Sequence, residues 1–114
     1  MTLIYKIAPG ELWRAAEARG VFEGAPIDLA DGFIHLSAAD QVRETARLYF
    51  AGQDDLVLVA IEAEPFGAAL KWETSRGGAL FPHLFGALAT ADVVSVQPLP
   101  RGPDGAHLFP AEIP

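Results

Sequence analysis

The 114-residue sequence contains no cysteine. Disulfides, thiolate metal sites and a cysteine nucleophile are therefore excluded. Basic residues are scarce: eight Lys and Arg stand against fifteen Asp and Glu, a formal net charge of -7, and they are scattered. Attraction to a phosphate backbone scales with the number of cationic contacts, so neither a long nucleic acid nor an anionic membrane suits this surface. A small-molecule ligand is the partner to expect, and the sequence names no protein partner. No apolar run approaches the roughly 20 residues that cross a bilayer. The stretch Met1 to Ile7 turns polar at Pro9-Gly10-Glu11, too soon for a signal-peptide core. A cytoplasmic location is the resulting expectation. The histidines, at 35, 83 and 107, lack the short helical spacing of a metal site, so no metal is expected. Ser37, Ser75 and Ser95 lack the Gly-x-Ser-x-Gly turn of a serine nucleophile, and Gly77-Gly78 lacks the rest of a phosphate-binding glycine loop.

What remains is half hydrophobic and 20% charged, enough for one core and one domain over residues 1–114, with an irregular tail from 101 to 114. Leu3 to Ile7 reads as a first strand ended by Pro9-Gly10. Glu11 to Arg19 reads as a helix stopped by Gly20, with Trp13 beside its apolar stripe. Val21 to Ala30, with Gly24 and Pro26 and no sustained period, reads as a surface loop. The stretch Asp31-Gly32-Phe33-Ile34-His35-Leu36-Ser37 reads as a strand delivering the chain into an amphipathic helix from Ala38 to Phe50, with Ser37 as its cap. The free amides of that helix start would make a phosphate seat. Leu56 to Ile61 is an almost unbroken apolar run, the pattern of a central strand covered on both faces. Leu70 to Glu73 and Val93 to Gln97 are further strands, and Thr74 to Gly78 is a polar loop. His107-Leu108-Phe109 is placed to dock the tail. The order argues for α+β, with two to three helices outside a mixed or antiparallel sheet.

His35 and His83 each lie in apolar runs, the second within Phe81-Pro82-His83-Leu84-Phe85-Gly86. A buried imidazole needs a hydrogen-bond partner, and taken singly each is more often a core histidine than a catalytic one. Two such stretches together point to acid or base work, or to gripping a hydroxyl. A pair of carboxylates for glycoside hydrolysis could be assembled from Asp28, Asp31 and Glu73, but fifteen acids make that choice nearly free.

Ile4-Tyr5-Lys6-Ile7, Trp13, Ala16, Asp31 to Ser37, Gln41-Val42, Thr45-Ala46, Trp72-Glu73 and Phe81 to Gly86 together resemble the domain of unknown function 952 family, over nearly the whole chain. The resemblance implies the ADP-ribosyltransferase-like fold, in which NAD is gripped between two small sheets. It implies a three-part signature carried by Lys6, His35 and His83. Lysine in the first place and histidine in the third depart from the usual histidine or arginine and glutamate. A histidine-rich signature is similar to the NAD-dependent RNA 2'-phosphotransferases, although the acidic surface argues against an RNA of that size. On this resemblance NAD is a substrate. Lys6 and Ser37 hold phosphate or ribose oxygens, His35 orients the ribose or nicotinamide, and His83 meets the leaving or attacking group. Trp13 or Trp72 stacks on a ring, Glu73 is a further ligand contact, and Arg76 closes over a phosphate. Two alternatives stand beside that transferase: a non-catalytic nucleotide-like binding domain, and a protein-interaction domain whose histidines belong to the core.

Overall fold

A computed structural model describes residues 1–113, apart from the side chain of Arg76. The chain runs β1 (Leu3–Pro9), α1 (Gly10–Arg19), β2 (Val21–Phe22), α2 (Pro26–Asp31), β3 (Ile34–His35), β4 (Ser37–Ala38), α3 (Val42–Tyr49), β5 (Leu56–Glu62), β6 (Leu70–Thr74), β7 (Leu80–Leu84), β8 (Leu88–Ala89) and β9 (Ser95–Pro98). It is an α+β fold, and every strand pairing described is antiparallel.

The main sheet has the order β4-β1-β5-β9. The apolar run of β5 sits inside it because both of its faces are covered. Val59 and Ile61 enter a core with Trp13 and Ala16 of α1, while Leu56, Leu58 and Ala60 enter a second core with Val42 and Ala46 of α3. Phe109 packs against this second core, and His107 Nε2 donates to the Gln53 carbonyl at 2.9 Å, which docks the tail. A smaller sheet, β3-β7-β6, lies on the α1 side and sends Ile34, Leu36 and Leu84 into the first core.

The stretch from Asp31 to Ser37 joins the two sheets. Ile34–His35 pairs with β7 in the small sheet, Leu36 donates its amide to the Pro82 carbonyl at 3.1 Å, and Ser37–Ala38 pairs with β1 in the main sheet. Two expectations are corrected here. Ser37 does not cap a helix: it pairs with Tyr5, a turn follows, and α3 begins only at Val42. The phosphate seat at Ser37 goes with that cap. Val21 to Ala30 is not simply a loop, because it contains β2 and most of α2, a Pro-initiated helix of six residues whose buried residue is Asp28. Among the described residues no helix is long and apolar enough to cross a membrane.

Candidate functional site

Asp28 is the polar centre of the molecule. Its side chain is 1% exposed, and a buried carboxylate is tolerated only when paired and hydrogen-bonded. Lys6 of β1 supplies the charge, with Nζ 2.8 Å from Oδ2 and 3.0 Å from Oδ1. The Ala25 amide donates to Oδ2 at 2.7 Å, and the His35 amide donates to Oδ1 at 3.1 Å. His35 Nδ1 lies 2.7 Å from the same Oδ1. Burial alone would raise this carboxyl, but the Lys6 charge and the hydrogen bonds from Lys6 and His35 outweigh it and hold Asp28 below the usual carboxylate range. Burial pushes the Lys6 ammonium below its ordinary value, an effect only partly opposed by Asp28.

An ionised carboxylate can only accept, so Nδ1 of His35 carries the hydrogen of the Asp28 bond. The other ring nitrogen, Nε2, lies 2.9 Å from Asp31 Oδ2, one helical turn back in sequence. Satisfying both carboxylates at once takes a hydrogen on each nitrogen. In this arrangement neither ring nitrogen of His35 is unengaged.

His83 is held differently. It faces His35 in the β3–β7 register, and their ring centres are 5.5 Å apart. Nδ1 lies 2.8 Å from Glu73 Oε1, on the neighbouring β6. Phe33 stacks flat on the His83 ring, with centres 4.2 Å apart and planes 9° from parallel, and its ring centre also lies 4.5 Å from that of His35, tilted by 58°. No hydrogen bond to Nε2 of His83 is formed among the described residues.

Both imidazoles line one cleft of about 470 Å3 between the two sheets and α3. β1 contributes Tyr5, Lys6 and Ile7, the β3–β4 crossing contributes His35, Leu36 and Ser37, and β7 contributes Phe81 and His83. Thr45, Tyr49 and Phe50 close it from the α3 side, and Ile27 and Ser75 complete the wall. Asp28, Asp31 and Glu73 do not line it and act on it through the residues they hold.

With that geometry the comparisons fall into place. The family model described as "Protein of unknown function (DUF952)" matches residues 7–96. The chain belongs to the DUF952 family. The fold is similar to that of a solved protein: the crystal structure of protein CC0527 from Caulobacter crescentus has a TM-score of 0.90 and 55% identity, covering 94% of each chain. The solution NMR structure of CC0527 has a TM-score of 0.85 and 57% identity, covering 93% of this chain and 91% of that one. No curated protein matches.

Of the residues singled out from this DUF952 sequence, Lys6, His35, Ser37 and His83 line the cleft, and Glu73 supports His83. Trp13 does not: its side chain is 1% exposed in the first core, with its ring 5.3 Å from Phe22, so no ligand can stack on it. Trp72 pairs with Pro82, one residue out of step with His83, and therefore lies on the opposite face of the small sheet. It is 41% exposed and does not line the cleft. Arg76 begins a short 3-10 turn, Arg76–Gly78, and its reach to a phosphate lies outside the described residues. Lys6 reaches the cleft already engaged, since Nζ also donates to the His35 carbonyl at 3.1 Å. Asp28 is the residue that the sequence reading passed over as one acid among fifteen. Its signal was local: an acid two residues after a helix-starting proline, in position to accept the amide before the helix.

Proposed function

We propose that this protein binds a small molecule in the cleft and performs acid–base chemistry on it. His83 moves the proton, and His35, with both ring nitrogens held by Asp28 and Asp31, fixes the cleft wall beside it. The observation that carries this reading is the pair of imidazoles, side by side on one cleft wall, each tied at Nδ1 to a carboxylate while only His83 keeps a nitrogen unengaged. A carboxylate that fixes one ring nitrogen leaves the other with a defined role, the arrangement general acid–base catalysis needs.

The resemblance to the ADP-ribosyltransferase-like superfamily gives the finer form of the proposal: a transferase acting on NAD, or on a small ADP-ribosylated or phosphorylated molecule. Its support is the meeting of Lys6, His35 and His83, from three different strands, on the same cleft. Incubation with NAD, with nicotinamide release followed by chromatography, tests it. Release by the wild-type protein that falls on the order of 10²–10⁴-fold in His83→Ala is the expected result. A second reading, a binding domain without turnover, is favoured by the engagement of Lys6, whose ammonium is spent on Asp28 and the His35 carbonyl rather than offered to a phosphate. NAD binding by calorimetry with no nicotinamide release would decide for it.

A further inference from the structure

Tyr5 is 6% exposed, yet its hydroxyl forms no hydrogen bond with any described residue. A buried phenol normally finds a partner. The only fully enclosed side-chain polar atom without one, among the described residues, is Trp13 Nε1, so the Tyr5 hydroxyl is not sealed inside the protein. It opens on the cleft that Tyr5 lines. Directly across the β1–β4 register from Tyr5 is Ser37, which lines the same cleft. Paired residues of an antiparallel ladder project from the same face, about 4.5–5.5 Å apart at Cβ.

The hydrogen-bond directions at Ser37 are fixed by its neighbour. Thr45 Oγ1 donates to the Gln41 carbonyl at 3.1 Å, which uses its one hydrogen. In the 2.8 Å contact between the two hydroxyls, Ser37 is then the donor. Its oxygen is left with lone pairs only, and a ligand must bring a hydrogen to it. Tyr5 beside it can donate or accept. Apolar walls from Ile7, Tyr49 and Phe50 flank the pair.

We propose that Tyr5 and Ser37 form a hydroxyl-reading subsite, which takes an uncharged polyhydroxylated ring such as the sugar of a nucleoside. Neighbouring hydroxyls give a hydrogen to Ser37 and exchange one with Tyr5, while the faces of the ring or its attached base lie against the apolar walls. A phosphomonoester dianion or a carboxylate has no hydrogen for Ser37 and is not the group this subsite selects. The inference rests on the reading of the cleft as a ligand site and adds to it the part of the ligand that is recognised.

The test uses adenosine and 2',3'-dideoxyadenosine as probes, with NAD and acetate in parallel. Binding is followed by amide chemical shifts on the wild-type protein, Tyr5→Phe and Ser37→Ala. Tyr5→Phe keeps the ring and its packing, and a thermal melt of each variant confirms the fold. Adenosine is expected to bind the wild type at least tenfold more tightly than either variant, and dideoxyadenosine to bind all three equally weakly. Equal adenosine affinity for wild type and Tyr5→Phe would overturn the subsite, as would acetate shifting the Tyr5 and Ser37 amides. NAD binding that is unaffected by both substitutions would remove the subsite and leave the cleft reading intact. If none of the probes moves a cleft amide, both fall together.

Discussion

His35 and His83 stand opposite one another on β3 and β7 with ring centres 5.5 Å apart, and Phe33 lies against both. The two rings are thus close enough to meet one ligand, while their hydrogen bonds give them different roles. His35 is bracketed by Asp28 and Asp31, and among the described residues the ring nitrogens of His83 meet only Glu73.

Removing the flat ring above His83 separates the positioning of that histidine from its chemistry. Phe33→Leu is expected to keep the fold but to broaden and shift the His83 ring signals in the NMR spectrum, since a stacked aromatic neighbour 4.2 Å away both restrains the ring and shields it. Unchanged His83 signals would show that Phe33 does not set its orientation.

The pair Lys6 and Asp28 sets the stability of the region. Asp28→Ala leaves the ammonium of Lys6 buried without its carboxylate and also frees the Ala25 and His35 amides. A loss of about 3–5 kcal/mol in urea unfolding is expected. The double variant Lys6→Met, Asp28→Leu removes both charges from the interior and is expected to recover a large part of that loss, as replacing a buried ion pair by apolar side chains often does.

Acid should act through the same carboxylate. Because Asp28 titrates lower in the folded protein than in the unfolded chain, its contribution is fully present above the unfolded value of about 3.9 and disappears as the pH falls through the folded one. Urea midpoints measured from pH 6 downwards should therefore drop below about pH 4, and the drop should be smaller in the Lys6→Met, Asp28→Leu variant.

Trp13 tests whether the first core and the cleft are independent. Its ring is 1% exposed, so Trp13→Ala should cost about 3–5 kcal/mol through the cavity left behind. Trp13→Phe, a milder change, should lower the melting temperature while leaving cleft ligand affinity within about twofold. A large change in affinity with the fold intact would tie the ring to the site after all.

Much of this architecture was legible in residue patterns. The run Leu56 to Ile61 announced a strand covered on both faces because nothing in it is fit for water, and Gly20 announced the end of α1, where it adopts a left-handed φ of 85°. The cleft was legible at His35 and His83, since polar rings in apolar runs must be explained. The helix α2 was not, because its pattern is inverted: Ile27 and Leu29 are 59% and 65% exposed, and the residue it buries is an aspartate. Periodicity locates apolar residues that face a core, and here the buried contact is a charge pair with Lys6, more than twenty positions away. Ser37, with Asp40 three residues on, matched a helix cap locally, but pairing with Tyr5 drew it into a strand. Tertiary contacts outweighed local preference at both places.

The measurement that bears most directly on the site is a titration of NAD into the ¹⁵N-labelled protein, read as amide shifts. A ligand cleft built around the two histidines predicts that the largest shifts cluster at Tyr5, His35, Ser37, Ser75 and His83, and that they vanish in His83→Ala. Shifts that spare these residues, or that gather instead between α3 and the tail around Arg47 and Leu108, would contradict it.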